Sequence, residues 1–236
     1  MKYLADKSGA NIIRMKYIYA LKKSKKMRVD KALEEYVETE IIPVYRTFDP
    51  AHGEEHVRQV VAGSLRLAES YDVDCNMVYA AAAYHDSGLT AGREKHHIES
   101  GRKIRGDRKL LRWFTPEQIE TIAQAAEDHR ASSAAEPRTI YGKIIAEADR
   151  DIEPEKILRR TVQYGLSAYP ALCREGHYGR YKKHLLEKYA EGGYLKLWVP
   201  ESDNAAKLEA LRSIIADETE LRRQFDRIFT DETSRP

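Results

Sequence analysis

Tyr79-Ala80-Ala81-Ala82-Ala83-Tyr84-His85-Asp86-Ser87-Gly88-Leu89 sets a run of small apolar residues directly before an adjacent histidine and carboxylate. Alanines let neighbouring helices approach closely, so the run predicts a buried helix, and that helix ends on two side chains with metal-ligating atoms. A histidine and a carboxylate in a dry place need a partner, and a cation satisfies both at once. Taken alone, the pair is better explained as a core histidine beside an ordinary carboxylate at a helix end. The rest of the chain changes that balance.

Outward from this stretch, helical periodicity dominates and strand signals are scarce. Upstream, Ala32, Leu33, Tyr36, Val37 and Ile41 recur at helical spacing over residues 29–48, with Pro43 expected to kink or interrupt the helix. After a loop at Asp49-Pro50-Ala51-His52-Gly53, the positions Val57, Val60, Val61, Leu65 and Ala68 trace one apolar stripe, and His56 shares it, four residues before Val60. Downstream, a helix starting near Glu94 or Lys95 contains His96, His97 and Ile104. Thr115-Pro116-Glu117-Gln118 reads as a helix start with Thr as N-cap and Gln completing a capping box. Its face of Ile119, Ile122, Ala123 and Ala126 continues to His129, and in the next helix Asp149 follows Ile145 by four residues. Helices are expected at 153–166, 178–190, 204–216 and 218–229, with Asp231 to Pro236 as a frayed end.

The chain has 236 residues, enough for a substantial core, and is read as a basic N-terminal segment (1–28) ahead of one helical domain (29–236), with the motif-bearing part at 48–152 and C-terminal helices at 153–230. The hydrophobic fraction of 42% against a charged fraction of 33%, with no apolar run of membrane-spanning length, excludes an integral membrane protein. Met1 to Asp6 lack an apolar signal core and the only cysteines are Cys75 and Cys173, both taken as structural, so a cytoplasmic location is expected. A net charge of +2 argues against a nucleic-acid partner. It conceals the cluster Arg14, Lys16, Lys22, Lys23, Lys25, Lys26 and Arg28, which reads first as a solvated face. The oligomeric state is not legible.

Separate helices thus each place a ligand-type side chain on or beside their buried face: His56, His85 with Asp86, His129, and Asp149. Such a mixed nitrogen and oxygen set suits a divalent ion such as Mn, Fe, Co, Ni or Mg, and the lack of nearby cysteine argues against a structural zinc site. A divalent ion acidifies bound water and neutralises phosphoryl charge. His52-Gly53-Glu54-Glu55-His56 also matches the H-x-x-E-H pattern of inverted zinc peptidases, but Pro50 and Gly53 oppose the helical placement of His52 that this needs.

The order His56, His85-Asp86, Asp149 resembles the H...HD...D signature of the HD-domain metal-dependent phosphohydrolase superfamily, in particular its small single-domain bacterial branch. The flanks His52 to Val57, Tyr79 to Gly88 and Glu147 to Asp151 are similar too, and the resemblance spans about residues 48–152. It implies an all-α HD-type helical bundle with additional C-terminal helices, metal ligands at His56, His85, Asp86 and Asp149, and catalytic roles for His85 and Asp86, the latter accepting a proton from water. It also implies one or two divalent ions per chain, with His96, His97 and His129 holding either a second ion or substrate phosphate. His96 and His97 are not distinguished at this level. Arg93, Lys95, Arg130 and Arg150 are candidates for neutralising phosphate. The expected activity is hydrolysis of a phosphate ester or anhydride of a nucleotide or related small molecule. A di-iron HD-type oxygenase and a non-catalytic metal- or nucleotide-binding regulatory protein remain as alternatives.

Overall fold

The structure is a computed structural model that describes residues 28–133 and 135–234. The basic cluster from Arg14 to Lys26 lies outside them. Among the described residues the chain is helical throughout and has no strand, as the periodicity predicted. Its first helix, α1 (Lys31–Tyr36), is capped by Asp30, whose carboxylate accepts from the backbone N–H groups of Ala32 and Leu33. The helix expected over 29–48 then changes winding rather than continuing. Val37–Ile41 is a π turn and Ile42–Thr47 a 3₁₀ turn with Pro43 in its first positions. Proline has no N–H to give and its ring crowds the preceding turn, so a regular α-helix cannot run through. The rewound segment delivers Tyr45, fully buried, to the end of the alanine helix.

That helix, α3 (Cys75–Tyr84), is the centre of the first layer. Asp74 caps it, and every residue except Asn76 is buried, with Ala80 to Ala83 entirely inaccessible. Alanines on all sides let α2 (Glu54–Ala68), α5 (Pro116–Asp128) and α6 (Ile140–Ala148) pack directly around it, and α4 (His96–Gly106) packs against α5. Thr115 and Gln118 form the predicted capping box at the start of α5. Gly88, in the 3₁₀ turn Ser87–Ala91 that follows α3, lies so near α4 that a Cβ there would be 2.1 Å from the His96 carbonyl oxygen. Its N–H donates to Ser100 Oγ at 2.9 Å. This close approach sets the position of the first turn of α4.

A second hydrophobic cluster is built from α7 (Pro154–Ala168), α8 (Arg174–Tyr189), α9 (Asn204–Ala216) and α10 (Glu218–Thr233), around Leu158, Tyr181, Leu185, Leu211, Leu221 and Phe225. The fraying expected from Asp231 to Pro236 is not found as far as Ser234, and the last two residues lie outside the described ones. The helix runs to Thr233 because Arg159 pairs with Asp231 at 3.4 Å and Glu232 at 2.5 Å, and Gln163 also donates to Glu232. The expectation that both cysteines are structural holds for buried Cys75 but not for Cys173, which is exposed at the N-cap of α8.

The two clusters are tied at Glu147. This carboxylate has no solvent exposure and accepts from the Trp198 N–H at 2.7 Å, Ser202 Oγ at 2.6 Å and Asn204 Nδ2 at 2.9 Å. The strand-free strap between α8 and α9 is thereby fastened to α6, and Val199 joins the first cluster. Removing the acceptor leaves the Trp198 N–H and the Ser202 hydroxyl without a partner, while Asn204 Nδ2 keeps only the Glu147 backbone carbonyl. Glu147→Ala should therefore cost about 3 kcal/mol or more, read as a lower urea midpoint with little change in helical circular dichroism before the transition. An unchanged midpoint would mean that the strap is held by something else.

Candidate metal centre

The side chains expected to act together converge between α2, α3, α5 and α6. His56 is on the first turn of α2, His85 and Asp86 close α3, His129 is the C-cap of α5 and Asp149 the C-cap of α6. His96 opens α4. His56 Nε2 lies 3.1 Å from Asp149 Oδ1, 3.4 Å from His85 Nε2 and 3.7 Å from Asp86 Oδ2. On the other side, His96 Nε2 and His129 Nε2 each lie 3.3 Å from Asp86 Oδ1 and 3.1 Å from one another. The two oxygens of Asp86 thus face two separate groups: His56 and His85 through Oδ2, and His96 with His129 through Oδ1, while Asp149 Oδ1 approaches His56 and, at 3.7 Å, His85.

Helix ends hold the imidazoles in this attitude. The Nδ1 of His85 is 2.7 Å from the Ala82 carbonyl, that of His129 is 2.5 Å from Ala126, and that of His96 is 2.7 Å from Arg93. Each carbonyl accepts a hydrogen bond from Nδ1–H, which makes Nε2 the ring nitrogen directed inward. Neutral His96 and His129 would then present lone pairs to each other at hydrogen-bonding distance, an arrangement that only a proton or a cation between them can satisfy. The donor set fits a divalent ion for the same reason, and His56, His85 and Asp86 on one side and Asp86, His96 and His129 on the other each form a group that could hold one. Tyr45, which the sequence did not mark, steadies the turn: its hydroxyl donates to the Ala83 carbonyl at 2.8 Å and accepts from the Asp86 N–H at 3.2 Å.

The electrostatics follow from this crowding. Burial disfavours a charged His85, but the carboxylates of Asp86 and Asp149 outweigh it and carry its pKa up to about 9. Burial would likewise raise Asp86 and Asp149, yet His85 and His129 hold the first well below the usual carboxylate range, and His56 and His85 do the same for the second. His96 is pushed down by burial and by its neighbour His129.

The structure separates His96 from His97. His97 belongs to neither group, has a buried Nδ1 with no hydrogen-bond partner among the described residues, and is brought down to about 4 by burial and by His96 beside it. His52 is also outside both groups. It sits in the 3₁₀ turn Pro50–His52 with Nδ1 on Asp49 and Nε2 3.2 Å from Arg93, and Gly53 after it is extended, so the two histidines of the peptidase pattern do not share a helix.

The centre opens into a cavity of about 590 Å³ whose walls include His56, Asp86, His96, His129 and Asp149. Arg93, Arg130 and Arg150 line it, whereas Lys95 does not. Arg130 is oriented by donating to the Glu94 carbonyl at 2.7 Å. Arg150 is buried and donates to the Ala146 carbonyl, and burial lowers its pKa. The sequence left open whether the segment after Ile152 lines the pocket or packs on the core, and did not mark its cations. The opposite wall comes from α7 and α8 and carries Arg160, Tyr164, Arg180, His184, Lys188 and Tyr189. The available signal was the spacing of Arg180, His184 and Lys188 at i, i+4 and i+8, one ridge beside the buried Tyr181, Leu185 and Tyr189. Of the tyrosines in this region, Tyr181 and Tyr189 pack in the second cluster, whereas Tyr164 is 58% exposed.

No helix among the described residues is long and apolar enough to cross a membrane. No curated protein and no solved structure matches the chain. The family model of the HD domain matches residues 53–152, from the cap of α2 to just beyond α6, and leaves the C-terminal helices outside the match. The segment that assembles the centre is therefore the matched one, and over those residues the chain carries an HD domain.

Proposed function

We propose that this protein is a metal-dependent phosphohydrolase that cleaves a phosphate ester or anhydride of a nucleotide or related small molecule. The observation that supports it most is the shared Asp86, with ligand groups on both oxygens, at the floor of a cavity lined by arginines. In this reading His56, His85, Asp86 and Asp149 hold one divalent ion, and Asp86, His96 and His129 hold a second. Bound divalent ions supply acidified water and charge neutralisation on the phosphoryl group. Arg93 and Arg130 bind the phosphate to be cleaved and orient it over the centre, and the walls of α7 and α8 limit the entry of bulk water. Asp86, whose two oxygens face the two groups, would contribute to holding both ions.

A second reading is favoured by the same shared carboxylate. Two ligand groups joined by Asp86 also suit a di-iron oxygenase. Protein purified without added metal discriminates the two: phosphate release from a panel of nucleotides and phosphomonoesters with Mn, Co, Ni or Mg supports hydrolysis, whereas two irons per chain with oxygen uptake and no phosphate release supports the oxygenase.

Substitution separates the two ion positions. Asp86→Asn and His85→Ala are expected to lower metal content and to reduce turnover by more than about 100-fold, while His96→Ala should remove one ion and spare the other. Full activity in Asp86→Asn would sink the mechanism. Metal binding should also release protons, because His85, charged at pH 7 with a pKa of about 9, must become neutral to ligate. Calorimetry in two buffers of different ionisation enthalpy is expected to show about one proton released per chain at pH 7, and less as the pH rises through 9. Proton uptake, or no dependence on buffer, would contradict this assignment of His85.

A further inference from the structure

Elsewhere on the chain, several guanidinium groups are matched with carboxylates. Arg222 pairs with Glu175 at 2.6 Å and Asp226 at 2.9 Å, and Arg138 with Glu127 at 2.6 Å and Asp128 at 2.8 Å. The C-terminal wall of the cavity departs from this pattern. Among the described residues no carboxylate lies within ion-pair distance of Arg150, Arg180 or Lys188, and Arg160 reaches Asp151 only at 3.7 Å. The Nε atoms of Arg150 and Arg180 are buried donors without an acceptor. Arg150 is buried, Arg180 and Lys188 are half-buried and Arg160 is exposed; an unpaired cation is costlier to keep the more it is withdrawn from water, unless a ligand completes it.

Arg180 is nevertheless placed with care. One of its Nη atoms donates to the Thr161 carbonyl, and the guanidinium lies over the rings of Tyr164 and Tyr169, at 5.6 Å and 5.9 Å from their centroids. Gly165 makes room for it, since a Cβ there would be 2.7 Å from Nη2. Lys188, two turns further along α8, is close enough to the metal centre for the charges of Asp149 and Arg150 to act on it, and burial pulls its pKa down. The cationic row thus extends from the centre along α8.

Charge and size both exceed what one phosphate uses. The two carboxylates of the centre, Asp86 and Asp149, balance only part of two divalent ions, and Arg93 and Arg130 already stand beside the centre. A cavity of about 590 Å³ is of the size that takes a nucleotide-sized molecule. We propose that Arg150, Arg160, Arg180 and Lys188 form a binding site for a second phosphate group, distinct from the one at the metal centre. The substrate is then a small molecule carrying at least two phosphate groups, and the helices outside the family match select it. This rests on the phosphohydrolase reading for the role of the first phosphate, not for the existence of the second site.

Hydrolysis-resistant probes test it on the full-length, manganese-loaded protein at constant free manganese. Methylenediphosphonate should bind at least about tenfold more tightly than methylphosphonate. Lys188→Gln and Arg160→Gln, both keeping a polar side chain, should each reduce that ratio several-fold with manganese content and helical circular dichroism unchanged, and Arg180→Gln should reduce it further. Equal affinity of the wild-type protein for the two probes would overturn the proposal, as would an equal loss for both probes in the variants or a loss of manganese from them. Preference for the diphosphonate in a protein that releases phosphate from no ester would retire the hydrolase reading alone and leave the second site standing.

Discussion

Everything in the first helical layer answers to one constraint: the carboxylate of Asp86 must receive imidazoles on both of its oxygens inside a region almost closed to water. Three of those imidazoles take their orientation from backbone carbonyls one turn back, at Ala82, Arg93 and Ala126. The Ala82 and Ala126 carbonyls lie in the last turns of α3 and α5, where carbonyls are left without an intrahelical donor, so placing His85 and His129 there satisfies the helix and the site together. Opposed lone pairs and carboxylates at 3.1–3.7 Å are tolerable only around positive charge. In the chain without metal a proton on His85 supplies part of that charge.

The alanine helix makes the geometry attainable. With Ala80 to Ala83 wholly inaccessible, α2, α5 and α6 approach α3 closely enough for side chains from their ends to meet. Gly63 on α2 contributes in the same way, with room for a Cβ only at 3.4 Å from that of Ala148. Tyr45 and Gly88 then fix the turn beyond α3 from opposite sides, one by hydrogen bonds to the backbone and one by the absence of a side chain. The winding change at Pro43 brings the first of these into place, so a residue that would merely interrupt a helix has a role in the centre.

The second cluster has a different relation to the site. It donates no ligand to the centre, but it walls the cavity with α7 and α8 and is fastened to the first layer through buried Glu147. Glu147 stands two residues before Asp149, so the end of α6 both anchors the strap to the C-terminal helices and presents a carboxylate to the centre. The position of the cationic wall relative to the ligands therefore depends on a few buried hydrogen bonds.

The sequence by itself determined the all-helical class and the buried character of α3, because periodicity and side-chain size report which face of a helix is covered. It also marked His56, His85, Asp86, His129 and Asp149 as side chains on or beside covered faces. It could not separate His96 from His97, since neighbouring residues differ by about 100° around a helix and the first turn of α4 is set by its contact with Gly88. Nor could it mark Tyr45, whose partners lie 38 and 41 residues away, or the cations of α7 and α8, which resemble ordinary surface charge until the fold turns them toward the cavity. Proximity between distant segments is created by tertiary packing. Local pattern identifies the chemistry a side chain could perform, and the packing of helices decides which side chains perform it together.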